Sequence, residues 1–135
     1  MKELRQAILT KFRSNTNDSL YVILGGARMY YDEAPKEPTY PYCVFRFFDI
    51  DKDFTFDLNF ESPSVQFDFY SNLSSADQCD DGVRYIRLLY DWCTLTVTGY
   101  LFLNMERNFI FPARKLQPEN IWVGSVRYTL LLKEI

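Results

Sequence analysis

DFTFDLNFESPSVQFDFY, residues 53–70, is the stretch that decides the fold, because apolar and polar residues alternate along it. A period of two predicts β-strands with one apolar and one polar face. We expect two such strands, joined by a turn at Ser62–Pro63, to form a long hairpin. Because an isolated hairpin is marginal in water, its apolar face must pack against helices, more strands or another chain.

The remaining segments predict helices and strands on both sides of this hairpin. An amphipathic helix is expected over residues 2–14, with Leu4, Ile8 and Phe12 on one face, and a second helix after Ser74–Ser75. Gly82 within this second helix suggests a close approach to the sheet. Further strands are expected at 28–31, 42–48, 94–98, 100–111 and 122–132. The sequence therefore predicts a single α+β domain over 1–135, an antiparallel sheet with two helices packed on one face and a long protruding β-hairpin.

Composition limits the class of protein. The 135 residues contain 18% aromatics, which fit either a phenylalanine-rich core or an interaction surface. The sequence has no apolar run long enough to span a membrane, so no membrane association is predicted. Its three cysteines form no CxxC pair, which favours reduced thiols in an intracellular setting.

Charge is distributed unevenly along the chain. Residues 49–81 contain nine acidic residues against Lys52 alone, whereas the segments before and after them carry net charges of +2 and +3. Binding to nucleic acid depends on clusters of lysine and arginine that contact the phosphates. The sequence therefore argues against specific DNA binding, although an acidic wall that repels DNA is compatible with it.

The sequence lacks the residues of common catalytic and metal sites. It contains no histidine, the most frequent general base, and no phosphate-binding loop of the GxxxxGK type. Asp49, Asp51 and Asp53 imitate the start of a calcium loop, but Phe54 and Phe60 stand where that loop needs glycine and glutamate. We therefore predict no catalytic, cofactor-binding or metal-binding residue, and read the acidic residues as a solvated segment.

The remaining candidates are surface residues. The polar face of the hairpin, including Gln66 and Asp68, is expected to contact solvent or a neighbouring subunit. Trp122 is expected to act as a core residue or as an interface anchor. The candidate residues for a subunit interface, a partner interface or the wall of a channel are Asp49, Asp51, Asp53, Asp57, Asn59, Glu61 and Trp122.

The order of segments resembles the tail terminator or tail completion proteins of long-tailed bacteriophages. The segments that carry the resemblance are ARMYYDEAP, YPYCVFRFF, SVQFDFYSNLSSADQCDDG, CTLTVTGYLFLNMERN and WVGSVRYTLLL. Together they cover nearly the whole chain; the acidic stretch 49–63 fits the family less closely.

This resemblance implies a virion structural protein rather than an enzyme. Its implied role is a ring, usually of six copies, at the head-proximal end of the tail tube. The ring would end tube polymerisation and offer a docking face to the head-completion (stopper or neck) protein, with the tail tube protein as the other partner. DNA would pass through the lumen without specific binding. The implied location is the virion, after assembly in the host cytoplasm.

Two alternatives come from other classes. One is a different neck or head-completion ring protein, which a native mass of twelve copies would favour. The other is a small cytoplasmic ligand-binding domain or enzyme, which would need a deep pocket with convergent polar groups.

Overall fold

The computed structural model describes residues 2–55 and 58–135, with the backbone alone between 49 and 59. Three helices are present, α1 (Lys2–Arg13), α2 (Ser19–Leu24) and α3 (Asp77–Tyr90). The strands are β1 (Met29–Tyr31), β2 (Tyr42–Thr55), β3 (Leu58–Ser71), β4 (Tyr100–Leu116) and β5 (Ile121–Glu134). They form one five-stranded sheet in the order β1-β2-β3-β5-β4, which confirms the α+β prediction.

The sheet is mixed rather than purely antiparallel. Strands β2 to β5 pair in antiparallel fashion, whereas β1 runs parallel to β2 through residues Met29 to Tyr31. The proline-containing loop 32–41 separates the two parallel strands, because a parallel pair needs a crossover that returns the chain to the same end. The short run after Gly25–Gly26 therefore forms an edge strand.

One helix, α2, was not predicted. The Asp18 carboxylate accepts a hydrogen bond of 3.1 Å from the amide of Leu20 and so caps its first turn. Gly25 ends the helix in the left-handed conformation with a φ of 76°. The helix is only six residues long, which is less than two turns. A segment this short does not show the apolar periodicity by which a helix is recognised in a sequence.

The predicted turn at Ser62–Pro63 is wrong. β3 runs through both residues, and β2 and β3 pair as far as Thr55 and Leu58. Pro63 takes part in neither ladder, and the register of β2 shifts between Phe48 and Asp51 opposite it. A bulge removes the need for an amide donor, and proline is accepted inside a strand at such positions.

The predicted strand at 94–98 lies outside the sheet. These residues follow α3 with no regular secondary structure until β4 begins at Tyr100. Their alternation nevertheless reflects burial, because Leu95 and Val97 are buried and the threonines between them are exposed. β4 in turn extends beyond its predicted end to Leu116, across Pro112.

The core lies between the helices and one face of the sheet. Its largest fully buried side chains include Phe45, Phe67, Phe69, Tyr90 and Tyr128. Phe67 and Tyr90 stack with their ring centres 4.5 Å apart. The apolar face predicted for Val65, Phe67 and Phe69 is confirmed, since all three are fully buried. Part of the aromatic content therefore belongs to the core.

Gly82 confirms the predicted close approach of a helix to the sheet. A Cβ atom at this position would lie 2.5 Å from the ring of Phe69. Gly124 on β5 faces the same helix, and its added Cβ would lie 2.6 Å from the side chain of Val83. Glycine at both positions lets α3 pack closely on β3 and β5.

Candidate interaction surfaces

The cysteine and tyrosine groups of the core are held in their neutral forms. Burial raises the pKa of Cys79 to about 12 and that of Cys93 to about 11, and it raises the pKa of Cys43 well above its usual value. A thiol is nucleophilic as its thiolate, so these groups are poorly suited to catalysis at neutral pH. Within the described ranges, no three acidic or cysteine side chains meet as a metal site.

The cavities of the described surface are open grooves. One of about 410 Å³ lies between α1 and residues 94–98, and another of about 350 Å³ is lined by Arg84, Arg87, Leu88 and Asp91. Between residues 2–55 and 58–135, no helix has the length and apolar character needed to cross a bilayer.

The sheet face opposite the helices, here called the outer face, carries a buried polar network. Asp68 is only 4% exposed, and its carboxylate accepts hydrogen bonds from Ser125 Oγ, Gln66 Nε2 at 2.9 Å and an Arg46 guanidinium nitrogen at 3.4 Å. The predicted exposure of the Asp68 side chain is therefore wrong. Neighbouring strands supply the partners that a buried carboxylate needs.

Beside this network, Arg127 lies between two aromatic rings. Its guanidinium carbon is 4.6 Å from the ring centre of Phe48 and 5.9 Å from that of Phe111. Gln66 accepts two hydrogen bonds from the same guanidinium, at 3.0 and 2.7 Å. Arginine held against aromatic rings is typical of the centres of protein interfaces.

Apolar side chains continue from this cluster along the edge strand β4. Phe109 is 56% exposed and Phe111 is 36% exposed, with their ring centres 6.1 Å apart. Leu101, Leu103 and Ile110 of the same strand are also exposed. A group of large exposed apolar residues on one strand marks a site for contact with another protein. Sequence reasoning assigned these residues to a strand but missed their exposure, since either face of β4 could have been buried.

Glu61 is buried rather than part of an exposed wall. It is 8% exposed, on a segment of β3 that pairs with β5. The pKa of Tyr100 is raised by burial and by the nearby carboxylates, first among them Glu61. Glu61 is thus used within the chain, and its predicted role at an interface or channel wall stays a prediction.

Trp122 lies at the margin of the core. Its ring is partly buried, its indole nitrogen donates to the carbonyl of Ser74 at 3.4 Å, and the Lys115 ammonium lies 5.8 Å from its ring centre. These contacts join the start of β5 to the end of β4 and to the loop that precedes α3. The contacts agree with the core reading of Trp122, and its possible role as an interface anchor stays a prediction.

The remaining acidic candidates and Asn59 lie in the stretch 49–59, for which side chains are not described. Asp57 lies outside the described residues, and so do the side chains of Asp49, Asp51, Asp53 and Asn59. Their predicted contact with a neighbour or with a channel stays a prediction. Glu61 and Trp122 do not form a common site in the structure. Glu61 is buried, and Trp122 donates a hydrogen bond to Ser74 of the same chain.

Comparison with solved structures gives a whole-chain match, although neither family models nor curated proteins match the sequence. A chain from the virion of a native gene transfer agent particle aligns with a TM-score of 0.82 and 11% identity. The alignment covers 96% of this chain and 94% of that one. A second solved structure aligns with a TM-score of 0.61 and 10% identity, over 99% of this chain and 94% of its own. This chain therefore has the fold of a known virion component along nearly its full length.

Proposed function

We propose that this protein is a virion structural protein of a bacteriophage or phage-like particle, without enzymatic activity. The single observation that supports this most strongly is the whole-chain likeness to a component of a gene transfer agent virion. The surfaces agree with such a role, because the described residues offer open grooves and exposed aromatic groups rather than a deep polar pocket.

Within that class, we infer the role of a tail terminator. Copies of the chain, six in number, would form a ring at the head-proximal end of the tail tube and stop its polymerisation. The other side of the ring would receive the head-completion protein of the neck. The inference rests on the ordered sequence segments from ARMYYDEAP to WVGSVRYTLLL together with the shared fold.

A closed ring needs two different surfaces on each subunit, one for each neighbour. The outer face presents Arg127 with Phe48 and Phe111, and the chain also contains four acidic residues in close succession, Asp49, Asp51, Asp53 and Asp57. Opposite charges on two surfaces favour the correct pairing of neighbours. DNA would pass through the lumen without specific binding, because an acidic wall does not hold phosphates.

The test is to mix the purified chain with the tail tube protein of the same particle and to measure both the mass of the assemblies and the length of the tubes. Native mass spectrometry should give rings of six copies, and electron microscopy should show short tubes capped at one end. Tubes that grow to the same length with and without the chain would refute the terminator role. Rings of twelve copies that leave the tube unchanged would favour another neck component.

A further inference from the structure

Residues 94–98, here called the threonine segment, have the pattern of a β-strand but no strand partner. Thr94, Thr96 and Thr98 are exposed, while Leu95 and Val97 are each 4% exposed and anchor the segment on the core. Among the residues that the structure describes, none of the five amides donates to a backbone carbonyl. Threonine and valine favour strands, so the segment is suited to pairing with an added strand.

The groove beside the threonine segment provides room for such a strand. Its volume is about 410 Å³, and the N-terminal helix α1 forms the opposite wall. Gln6 and Thr10 of α1 and Ser14 just after it are exposed along this wall, and Ala7 lies near the core. The groove is therefore bounded by α1 on one side and, on the other, by the threonine segment, whose amides donate to no backbone carbonyl within the described part of the chain.

The charge of α1 selects the kind of chain that the groove would accept. The helix carries four basic residues, Lys2, Arg5, Lys11 and Arg13, against Glu3 alone. Two charged residues line the groove itself, Lys11 towards the end of α1 and Glu3 near its start. The helix has a net charge of +3, so an acidic strand would be attracted to the end of the groove that contains Lys11, and a basic strand would be repelled there.

The chain has two long strand edges that could supply the partner, and their charges differ. The outer edge of β4 is basic through Arg107, Arg114 and Lys115, and three register shifts interrupt the strand. β1 covers β2 only at Cys43 to Phe45, which leaves the edge from 46 to 55 without a partner in the described part of the sheet. This second edge has one register shift and contains three aspartates against a single lysine beyond Phe48.

We propose that the edge of β2 from one copy of the chain adds as a strand to the threonine segment of the next copy. This contact rests on the proposed function. It assigns the threonine segment as the surface of each subunit that accepts a strand from its neighbour in the ring. The contact is heterologous, since the two participating surfaces differ, and repeated rotation by the same operation closes a ring. Backbone pairing would supply the affinity, and the attraction between the aspartates and α1 would set the direction.

Disulfide cross-linking between two populations of full-length protein tests this contact. Cys93→Ala removes the partly exposed thiol from both populations, and the two remaining cysteines are buried. One population then carries Asp53→Cys and the other Thr96→Cys; the matched control replaces Asp53→Cys by Glu119→Cys in the exposed β4–β5 turn. We expect severalfold more cross-linked dimer from the Asp53→Cys pair. Equal yields from both pairs, or no cross-link in either, would overturn the proposal.

A charge-reversal cycle gives a second, independent readout. Lys11→Glu should lower the association constant of the chain about tenfold, because it places a carboxylate against an acidic strand. Lys36→Glu, in the exposed loop before β2, is the control and should leave association unchanged. Adding Asp53→Lys to Lys11→Glu should restore association; a double variant as weak as Lys11→Glu alone would contradict the contact.

The two proposals fail in different ways. Rings of six copies that never give the Asp53–Thr96 cross-link would retain the ring and refute this contact. Specific cross-linking that yields only open chains of copies, with no effect on tail tubes, would retain the contact and refute the terminator role.

Discussion

The hydroxyl of Tyr90 donates a hydrogen bond of 3.0 Å to the backbone carbonyl of Ile8, which lies 82 residues earlier in the chain. Both residues are fully buried, and the bond ties the end of α3 to the middle of α1. It gives the buried phenol an acceptor and adds a second donor to a carbonyl that already takes part in the hydrogen bonding of α1. A polar contact thus adds to the apolar packing that holds α1 against α3.

Tyr90→Phe tests this contact. We expect it to lower the free energy of unfolding by about 1–2 kcal/mol, because the Ile8 carbonyl loses its phenol partner. Urea denaturation followed by circular dichroism measures the change. Tyr30→Phe on β1 is the control and should change stability by less than about 0.5 kcal/mol. A neutral Tyr90→Phe would mean that water replaces the phenol.

Gly82→Ala is expected to destabilise the protein although alanine is the better helix former. Alanine gains about 1 kcal/mol of helix propensity, but its Cβ would meet the buried ring of Phe69 at 2.5 Å. Overpacking of this kind costs about 1–3 kcal/mol, so the net effect should be a loss of stability. Asp81→Ala, on the exposed side of the same helix, should be neutral or stabilising. Thermal denaturation of both variants measures the two effects, and a Gly82→Ala variant as stable as the parent would contradict the overpacking.

Asp68→Ala should destabilise the sheet by about 2–3 kcal/mol, because it leaves the buried Ser125 hydroxyl and the Gln66 amide without their acceptor. Arg46→Ala should cost less, since the arginine side chain is 41% exposed and contributes the longest contact to the carboxylate. Urea denaturation of both variants would reveal the order. The reverse order would show that the charge pair, and not the buried hydrogen bonds, stabilises the outer face.

Phe109→Ser should weaken assembly while leaving the fold intact. The side chain is 56% exposed, so its removal should change the free energy of unfolding by less than about 0.5 kcal/mol. Loss of an exposed aromatic from an interface centre should reduce ring formation as measured by mass photometry. Glu119→Ser, in the exposed turn after β4, is the control. Unchanged assembly of Phe109→Ser would place the outer face on the free surface of the ring.

Stability should fall as pH rises above about 9. The cysteines have a usual pKa of 9.0, which burial raises to about 12 for Cys79 and to about 11 for Cys93. Between these values the unfolded chain releases protons that the folded chain retains, so each such group lowers stability by about 1.4 kcal/mol per pH unit. Urea midpoints measured from pH 7 to 11 should show the decline, and Cys79→Ala should make its slope shallower. An identical slope in this variant would exclude Cys79 as a cause.

Local patterns predicted much of the fold. Leu4, Ile8 and Phe12 predicted the buried face of α1, and the alternation of Val65, Phe67 and Phe69 predicted the buried face of β3. The same rule misplaced the turn of the hairpin. Alternation between 54 and 60 continues across the pair Thr55 and Leu58, so periodicity alone could not separate one strand from two.

The sequence by itself determined the class of the domain, the lack of any histidine as a catalytic base or metal ligand, and the uneven distribution of charge along the chain. Only the tertiary structure decided which polar residues are buried and which apolar ones are exposed. Asp68 finds its partner Ser125 from 57 residues away on a neighbouring strand, and Phe109 is exposed because β4 lies at the edge of the sheet. Both outcomes depend on strand order, which arises from long-range pairing that no local pattern encodes.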